Sequence, residues 1–290
     1  MRRNLGPAYS LPVTVWMATL FVVPIAIIIA YSFMSKGLYG GVVPRFSLNA
    51  YAALFNSTFM QVTFNTLLIA VVSTILMVSL ALPASYCIAR SRYKNVLLML
   101  VIIPFWTDFI IRIYSWIAVL GNNGIVNSLL VGWGVLGAPV QLLYNKYAVM
   151  VVTTYTYLPY AILPLYSSIE KFDFTLLEAA RDLGASKSQS IFRILLPNVK
   201  GGISTSVIFT FIPAFGSYAV PQILGGRDSL MLGNIIAREL TITRNWPLAA
   251  SISVAITVLT TLGVLLFMRS NRSATEAVKT AAVAEKEEED

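Results

Sequence analysis

Two residues of opposite charge lie inside an apolar stretch of this sequence. Asp108 and Arg112 are four residues apart in a run from Val96 to Leu120 that carries no other charge. A spacing of four places two side chains on one face of a helix, and an ionisable residue inside an apolar span is costly and indicates function. Two interpretations stay open: a mutual ion pair that locks the packing, or an Asp108 that lines a path and attracts a cation.

Aromatic side chains offer a second means of holding a cation, because the face of a ring attracts a positive group within about 6 Å. Trp106 precedes Asp108 by two residues, and further rings follow in two later apolar runs. The candidate path residues are Trp106, Asp108, Tyr155, Tyr157, Tyr160 and Phe215. The alternative is that most of these rings serve packing or lie at a membrane interface.

Several residue types needed for catalysis are absent. The sequence has no His and a single Cys, Cys87, which excludes His-based acid–base chemistry, His metal ligation and a Cys-cluster metal site. No P-loop sequence occurs, so we expect no ATP site in this chain. We therefore predict no catalytic residue, no metal ligand and no cofactor of its own.

The composition is that of a protein whose surface faces lipid. Of the 290 residues 57% are apolar and 12% are charged, with a mean hydropathy of +0.74, whereas about 25% of a soluble domain is charged. We predict an all-α membrane protein with six transmembrane helices, because each span needs about 20 mostly apolar residues. The predicted spans are Leu11–Phe33, Leu67–Ile88, Val96–Leu120, Tyr147–Tyr166, Ile203–Ile223 and Leu248–Phe267.

The distribution of Lys and Arg among the connections places both termini in the cytoplasm. The predicted organisation is a cytoplasmic N-terminus (1–10), a six-helix domain (11–268) and an acidic cytoplasmic tail (269–290) that we expect to be disordered. The predicted external segments are 35–62, 121–146 and 224–246. Glycines and a proline weaken a seventh span at 125–143, so we expect a broken helical segment resting on the membrane or partly re-entrant.

The predicted cytoplasmic loop 167–198 contains signals for two short helices. Asp173 is a candidate N-cap, and Gly184 is suited to end the first helix in a left-handed conformation. Ser186 with Gln189 forms a capping box that starts the second helix, and Pro197 marks the entry to the fifth span. Either this loop carries a partner or it is a plain amphipathic segment lying on lipid.

Glu178-Ala179-Ala180, followed by Gly184 and by Ile194-x-Leu196-Pro197, resembles the EAA signature of binding-protein-dependent ABC importer permeases. The resemblance implies the type I ABC importer permease fold and a coupling helix that sits in a groove of a cytoplasmic ATPase. It assigns the ATPase-coupling residues as Glu178, Ala179, Ala180, Arg181, Gly184, Ile194, Leu196 and Pro197. Independently of the resemblance, the spacing of three residues allows Glu178 and Arg181 to pair with each other or with a partner.

Further segments resemble the spermidine/putrescine permeases within that class. They are Pro104–Trp116, Gly121–Gly124, Pro164–Ile169, Gly225–Leu230 and Asn245–Pro247. The resemblance implies a subunit of the bacterial cytoplasmic (inner) membrane that forms half of the translocation path for a polyamine by alternating access. The implied partners are an ABC ATPase dimer that holds ATP and Mg, a second and different permease chain, and a periplasmic or extracellular substrate-binding protein. The composition itself predicts contact with membrane lipid, and the positive-inside topology explains the net charge of +8 without a nucleic-acid partner.

Other functions remain as alternatives. A permease of the same class could carry an amino acid derivative, an opine, a phosphonate or ferric iron. A secondary transporter is disfavoured because no inverted repeat is detectable, and a membrane-embedded enzyme is disfavoured by the missing His and the single acid within a span, Asp108.

Overall fold

The computed structural model describes residues 6–287, with side chains for residues 11–269, and helices dominate that range. The helices are α1 (Gly6–Ser32), α2 (Asn49–Ala53), α3 (Ser57–Arg90), α4 (Lys94–Ile102), α5 (Phe109–Leu120), α6 (Ile125–Gly132), α7 (Lys146–Glu170), α8 (Thr175–Asp182), α9 (Lys187–Ser190), α10 (Leu196–Asn198), α11 (Lys200–Phe215), α12 (Ala219–Leu224), α13 (Leu232–Thr241) and α14 (Trp246–Glu287). Strands β1 (Met34–Lys36) and β2 (Val42–Phe46) form a hairpin, and irregular helical turns cover Ile103–Trp106, Ile191–Leu195 and Arg227–Ser229.

Five helical segments among the described residues are long and apolar enough to cross a membrane. They are Leu11–Ser32, Ser57–Arg90, Phe109–Gly132, Lys146–Glu170 and Trp246–Arg269. A sixth results if Lys187–Asn198 and Lys200–Phe215, which meet at 72°, count as one broken span. These lengths and compositions agree with the predicted all-α membrane fold.

The third predicted span, Val96–Leu120, is not one helix. α4 passes into a tight turn at Ile103–Trp106, and α5 starts anew at Phe109 with Asp108 as its N-cap. Pro104 has no N–H to continue the helix, and the capping carboxylate satisfies free amides of the next one. Asp108 therefore precedes the helix that carries Arg112, and the two residues do not lie within one continuous span as predicted.

Two further boundaries differ from the prediction. The fifth predicted span, Ile203–Ile223, is interrupted after Phe215, where Gly216 ends α11 before the short helix α12 begins. The helix α14 continues to Glu287, whereas disorder was expected from residue 269, because Ala, Glu and Lys in this stretch favour a helix. The last three residues of the tail lie outside the described residues.

The chain divides into two compact units, of which the first comprises Met1–Val62 and Leu232–Leu262. Its hairpin pairs Lys36 with Val42 and Met34 with Phe46. The turn of the hairpin is held by a hydrogen bond from the Gly41 amide to the Arg244 carbonyl, 2.8 Å long. Ser32 Oγ lies 2.8 Å from Tyr51 Oη, which ties the end of α1 to α2.

The second unit comprises Thr63–Met231 and Gly263–Asp290, and its described core is built on α7. Hydroxyl groups bond from neighbouring helices to α7 carbonyls: Ser85 Oγ donates to Ile162 O (3.1 Å) from α3, and Ser206 Oγ donates to Ala161 O (2.9 Å) from α11. Small polar residues of this kind let membrane helices approach closely. The positions of the rings on α7 are thus fixed by helices on two sides.

One buried side chain organises the segment between α5 and α7. Asn127, on α6, donates to the carbonyls of Gly121 (3.0 Å) and Val140 (2.9 Å) and accepts from the amide of Val140 (3.0 Å). These bonds use both donor hydrogens and the acceptor oxygen of one side-chain amide to hold Gly121 and Val140 together. The helix is broken here as the sequence predicts, because α6 ends at Gly132 and the chain runs without helix to Asn145.

Candidate docking loop and aromatic cavity

The candidate docking loop, residues 167–198 and called the docking loop below, starts its first helix within one residue of the predicted position. Asp173 Oδ1 accepts hydrogen bonds from the amide (3.0 Å) and the hydroxyl (2.8 Å) of Thr175, the first residue of α8. These bonds hold the pKa of the Asp173 carboxyl below its usual value, since they favour its charged form. Phe174 occupies the position before α8, so the helix begins one residue later than a cap at Asp173 implies.

The turn between α8 and α9 confirms the predicted local chemistry. Gly184 has φ +89°, and the amides of Gly184 and Ala185 bond back to the carbonyls of Arg181 and Ala180, both at 2.9 Å. Ser186 and Gln189 form the reciprocal capping box, with bonds of 2.8 and 3.2 Å. The two helices are consequently held at a defined angle by backbone and cap bonds.

The docking loop presents a charged and apolar face to its surroundings. Glu178 is 62% exposed, Leu183 is 91% exposed and Phe192 is 66% exposed. Ala179 is exposed and Ala180 is half-buried, so small side chains lie beside these groups. The docking loop therefore carries both an exposed acid and exposed apolar side chains.

The other predicted coupling residues take different positions. Ile194 packs against a cluster of buried residues, Leu196 is half-buried and Pro197 is exposed. Arg181 Nε and Nη2 are buried without a hydrogen-bond partner among the described residues. Of the two pairings that the sequence allowed, with each other or with a partner protein, the pair of Glu178 and Arg181 is not formed, since Glu178 Oε1 faces Arg90 Nη2 at 4.0 Å. Arg90 was not predicted, since it lies far from the loop in sequence.

A cavity of about 360 Å³ lies where the turn before α5 meets α7, and it unites four of the predicted path residues. Its lining comprises Phe105, Trp106, Thr107, Asp108, Phe109, Arg112, Thr156, Tyr157 and Tyr160. The rings contact one another in sequence: Phe105 with Tyr160 (centroids 5.2 Å apart), Tyr160 with Tyr157 (6.1 Å) and Tyr157 with Phe109 (6.5 Å). This cavity is called the aromatic cavity below.

Two predicted path residues lie elsewhere. Tyr155 packs edge-on against Trp116, with centroids 5.3 Å apart, and Phe215 is buried and stacks on Phe211. Neither lines the aromatic cavity. Helical spacing accounts for the difference on α7, because Tyr157 and Tyr160 share a face that Tyr155 does not. Helical spacing, applied to the sequence alone, would already have placed Tyr155 on a different face from Tyr157 and Tyr160.

The two charged groups of the aromatic cavity do not pair with each other. Asp108 Oδ1 accepts from the amides of Ile110 (2.9 Å) and Ile111 (3.1 Å) as the cap of α5. The Arg112 guanidinium lies 5.1 Å from the ring centroid of Phe105 and 6.0 Å from that of Phe109. The interpretation as a mutual ion pair is therefore wrong. The carboxylate accepts hydrogen bonds from backbone amides, and the guanidinium makes cation–π contacts with Phe105 and Phe109.

Unpaired polar atoms also border the aromatic cavity. Thr156 is 2% exposed and its Oγ1 has no hydrogen-bond partner among the described residues, and the same holds for the buried Nε of Arg112. Buried polar groups are normally paired, so a ligand or water with oxygen or nitrogen atoms would suit this space. Phe105, Phe109 and Thr156 were not predicted as site residues, although the helical spacing of Thr156 and Tyr160 signals a common face.

Comparison with known proteins shows one family throughout. The profile of the family described as binding-protein-dependent transport system inner membrane component matches residues 57–276. The chain is 37% identical over 259 residues to the spermidine/putrescine transport system permease protein PotB of Haemophilus influenzae, which covers 89% of this chain and 91% of that protein. It is 35% identical to PotB of Escherichia coli K12, with 89% and 94% covered.

Solved structures show a similar fold. A chain of a bacterial ABC transporter involved in the import of the acidic polysaccharide alginate superposes with a TM-score of 0.76 at 18% identity, covering 94% of this chain and 96% of that chain. A chain of the MetNI methionine ABC transporter in an inward-facing conformation gives 0.54 at 20% identity, covering 77% and 99%. At these identities the likeness concerns the fold.

Proposed function

Because this chain belongs to the family of binding-protein-dependent transport system inner membrane components, we propose that it forms half of the path of an ATP-driven importer for a polyamine or a related small cation. Being a permease subunit, it is a non-catalytic membrane component. The observation that carries the substrate is its 37% identity, over 89% of the chain, to a spermidine/putrescine permease. A second permease chain completes the path in this proposal.

The docking loop is the proposed contact with the ATPase subunit. Its exposed Glu178 and Ala179, and the rigid turn at Gly184, support this assignment. Exposed Leu183 and Phe192 add apolar area that would be buried on docking. ATP and Mg belong to that separate subunit, and a substrate-binding protein delivers the solute from the other side of the membrane.

The aromatic cavity is the proposed stretch of the path that meets the substrate. Trp106, which is 85% exposed, and Tyr157 and Tyr160 provide ring faces for ammonium groups and the methylene chain between them. Asp108 places a carboxylate on the same lining. Arg112 contributes a positive charge that offsets the negative charge of Asp108 on this lining. The aromatic rings, and not a net negative charge, would therefore hold a cation.

Uptake by the complete complex tests the substrate. The permease, its partner chain, the ATPase and the binding protein are reconstituted in vesicles, and labelled spermidine is offered with ATP inside. ATP-dependent accumulation that unlabelled putrescine reduces would support the proposal. Uptake of an anionic or neutral solute without polyamine uptake would contradict the substrate and leave the importer mechanism standing.

We expect Asp108→Asn to keep the protein stable and to lower spermidine uptake several-fold. Asn caps a helix as well as Asp does, so the substitution removes the charge and keeps the capping bonds from Ile110 and Ile111. Asp108→Ala is the matched variant, because it also removes the cap and is expected to cost about 1 kcal/mol of stability. Unchanged uptake by Asp108→Asn, with a loss only in Asp108→Ala, would assign Asp108 to capping alone.

One observation favours a second candidate function. The unpaired Arg112 Nε and Thr156 Oγ1 border the aromatic cavity, and they suit a solute that carries an acceptor oxygen, such as an amino acid derivative, an opine or a phosphonate. Competition by such solutes in the uptake assay distinguishes this candidate from the polyamine.

The proposed topology predicts that Ser186→Cys is labelled by a membrane-impermeant maleimide only from the cytoplasmic side and Asn123→Cys only from the opposite side. Both positions are exposed. The native Cys87 is also exposed, so both variants require a Cys87→Ser background, which itself serves as the unlabelled control. Labelling of both positions from one side would contradict the topology.

A further inference from the structure

Two basic residues flank the turn that joins α3 to α4, and each lies within ion-pair distance of a glutamate later in the sequence. Arg90 Nη2 lies 4.0 Å from Glu178 Oε1 on α8, and Lys94 Nζ lies 2.7 Å from Glu170 Oε1 at the end of α7. Glu170 and Glu178 stand on either side of the start of α8. The turn at 91–93 is therefore linked to the docking loop at two points.

Two aromatic residues contact the Arg90 guanidinium, which also faces Glu178. Its Nη1 donates to Tyr86 Oη at 3.3 Å, one turn earlier on α3. Its Cζ lies 5.5 Å from the ring centroid of Phe174, the residue before α8. The rings of Tyr86 and Phe174 meet edge-on, with centroids 6.0 Å apart. A planar guanidinium suits this arrangement because it can stack and donate at once.

Apolar packing next to these contacts also joins α3 to α8. Leu177 of α8 belongs to a cluster of buried residues at the base of the docking loop, and Tyr86 and Ala89 of α3 pack against that cluster. An exposed ion pair alone contributes little. Here the ion pair, the cation–π contact and the apolar cluster act between the same two helices.

We propose that Arg90 is a positioning residue that fixes α8 to the end of α3, so that a displacement of α8 by the ATPase is passed to a membrane-spanning helix. This inference rests on the proposed function, namely that the docking loop contacts the ATPase. The Glu178 side chain is 62% exposed, which leaves it accessible to a partner although Arg90 lies beside it. Arg90 acts through α8 and touches no substrate.

The test is the ratio of spermidine transported to ATP hydrolysed by the reconstituted complex with its binding protein. Arg90→Gln is expected to lower this ratio about fivefold, the scale of coupling between residues in contact, while the complex still assembles. Arg92→Gln is the matched control, because the Arg92 guanidinium lies 4.9 Å over the neighbouring Tyr93 ring. It removes the same charge and is expected to leave the ratio unchanged.

Two more variants separate a positioning role from general damage. Arg90→Lys keeps the charge and is expected to restore about half of the ratio, since it loses the planar group. If Arg90→Gln fails to assemble into the complex, Arg90→Lys is compared with Arg92→Gln in its place. The double variant Arg90→Gln with Glu178→Gln is expected to be no worse than Glu178→Gln alone, because both changes break one linkage.

The outcomes distinguish this inference from the function on which it rests. If Glu178→Gln lowers the ratio but Arg90→Gln behaves like Arg92→Gln, the role of Arg90 is overturned and the docking loop stands. If neither the docking-loop variant nor Arg90→Gln changes the ratio, the docking assignment itself is overturned.

Discussion

Gly184→Val is expected to insert in the membrane normally and to lower ATP-driven uptake about tenfold or more. A left-handed conformation costs a residue with a side chain roughly 1–2 kcal/mol, and it costs a β-branched residue more. Gly184 has φ +89° at the turn that sets the angle between α8 and α9. Valine would move the backbone out of this conformation and break the return bonds to Ala180 and Arg181. Uptake per inserted protein is the measurement.

Gly184→Asn is the matched control, because Asn adopts the left-handed conformation at low cost. A Cβ at this position meets no atom within 4 Å, so the two substitutions differ in backbone preference more than in steric fit. We expect most of the uptake to remain. Equal loss in both variants would show that a side chain at 184 obstructs the ATPase, and equal retention would remove the turn from the coupling mechanism.

Gly202→Ala is expected to destabilise the protein by about 1–3 kcal/mol, the usual cost of overpacking. A Cβ on Gly202 would overlap the Cβ of Ser168 and lie 3.2 Å from the Pro164 carbonyl oxygen. The neighbouring bond from Ser206 to Ala161 holds the two helices at this distance. Denaturation of the purified protein in detergent, followed by tryptophan fluorescence, measures the change.

Gly201→Ala provides the comparison from the adjacent position. A Cβ on Gly201 meets nothing within 4 Å, and replacing Gly by Ala inside a helix is expected to stabilise by about 0.5–1 kcal/mol. The two substitutions therefore have opposite expected signs. A similar loss of stability in both would contradict the close approach of α7 and α11.

Local chemistry made parts of this structure predictable. The capping box of Ser186 and Gln189 and the left-handed Gly184 depend on residues within four positions of each other, and both are present. The break before α5 had the same kind of signal, because Pro104 and Asp108 are residues that stop and start helices. Because most residues of Val96–Leu120 are apolar, this segment was predicted as one span, and the break before α5 was missed.

Contacts between distant residues could not be read from the sequence. The spacing allowed Glu178 to pair with Arg181, three positions away, or with a partner protein, yet Glu178 faces Arg90 on another helix. Tyr157 and Tyr160 line the aromatic cavity because α7 is fixed by hydroxyl bonds from α3 and α11. Such placements depend on which helices become neighbours, and periodicity within one helix does not determine that.

The bonds made by Asn127 have a consequence for how this connection tolerates changes of length. They join the chain at Asn127 to the chain at Val140, so the intervening residues form a closed loop whose ends do not depend on its contents. A Cβ on Gly134 or Gly137 meets no atom within 4 Å. Because lengthening a closed loop costs only about 0.6 kcal/mol per doubling, an epitope tag or a fluorescent domain inserted between these glycines should leave the helices on both sides undisturbed.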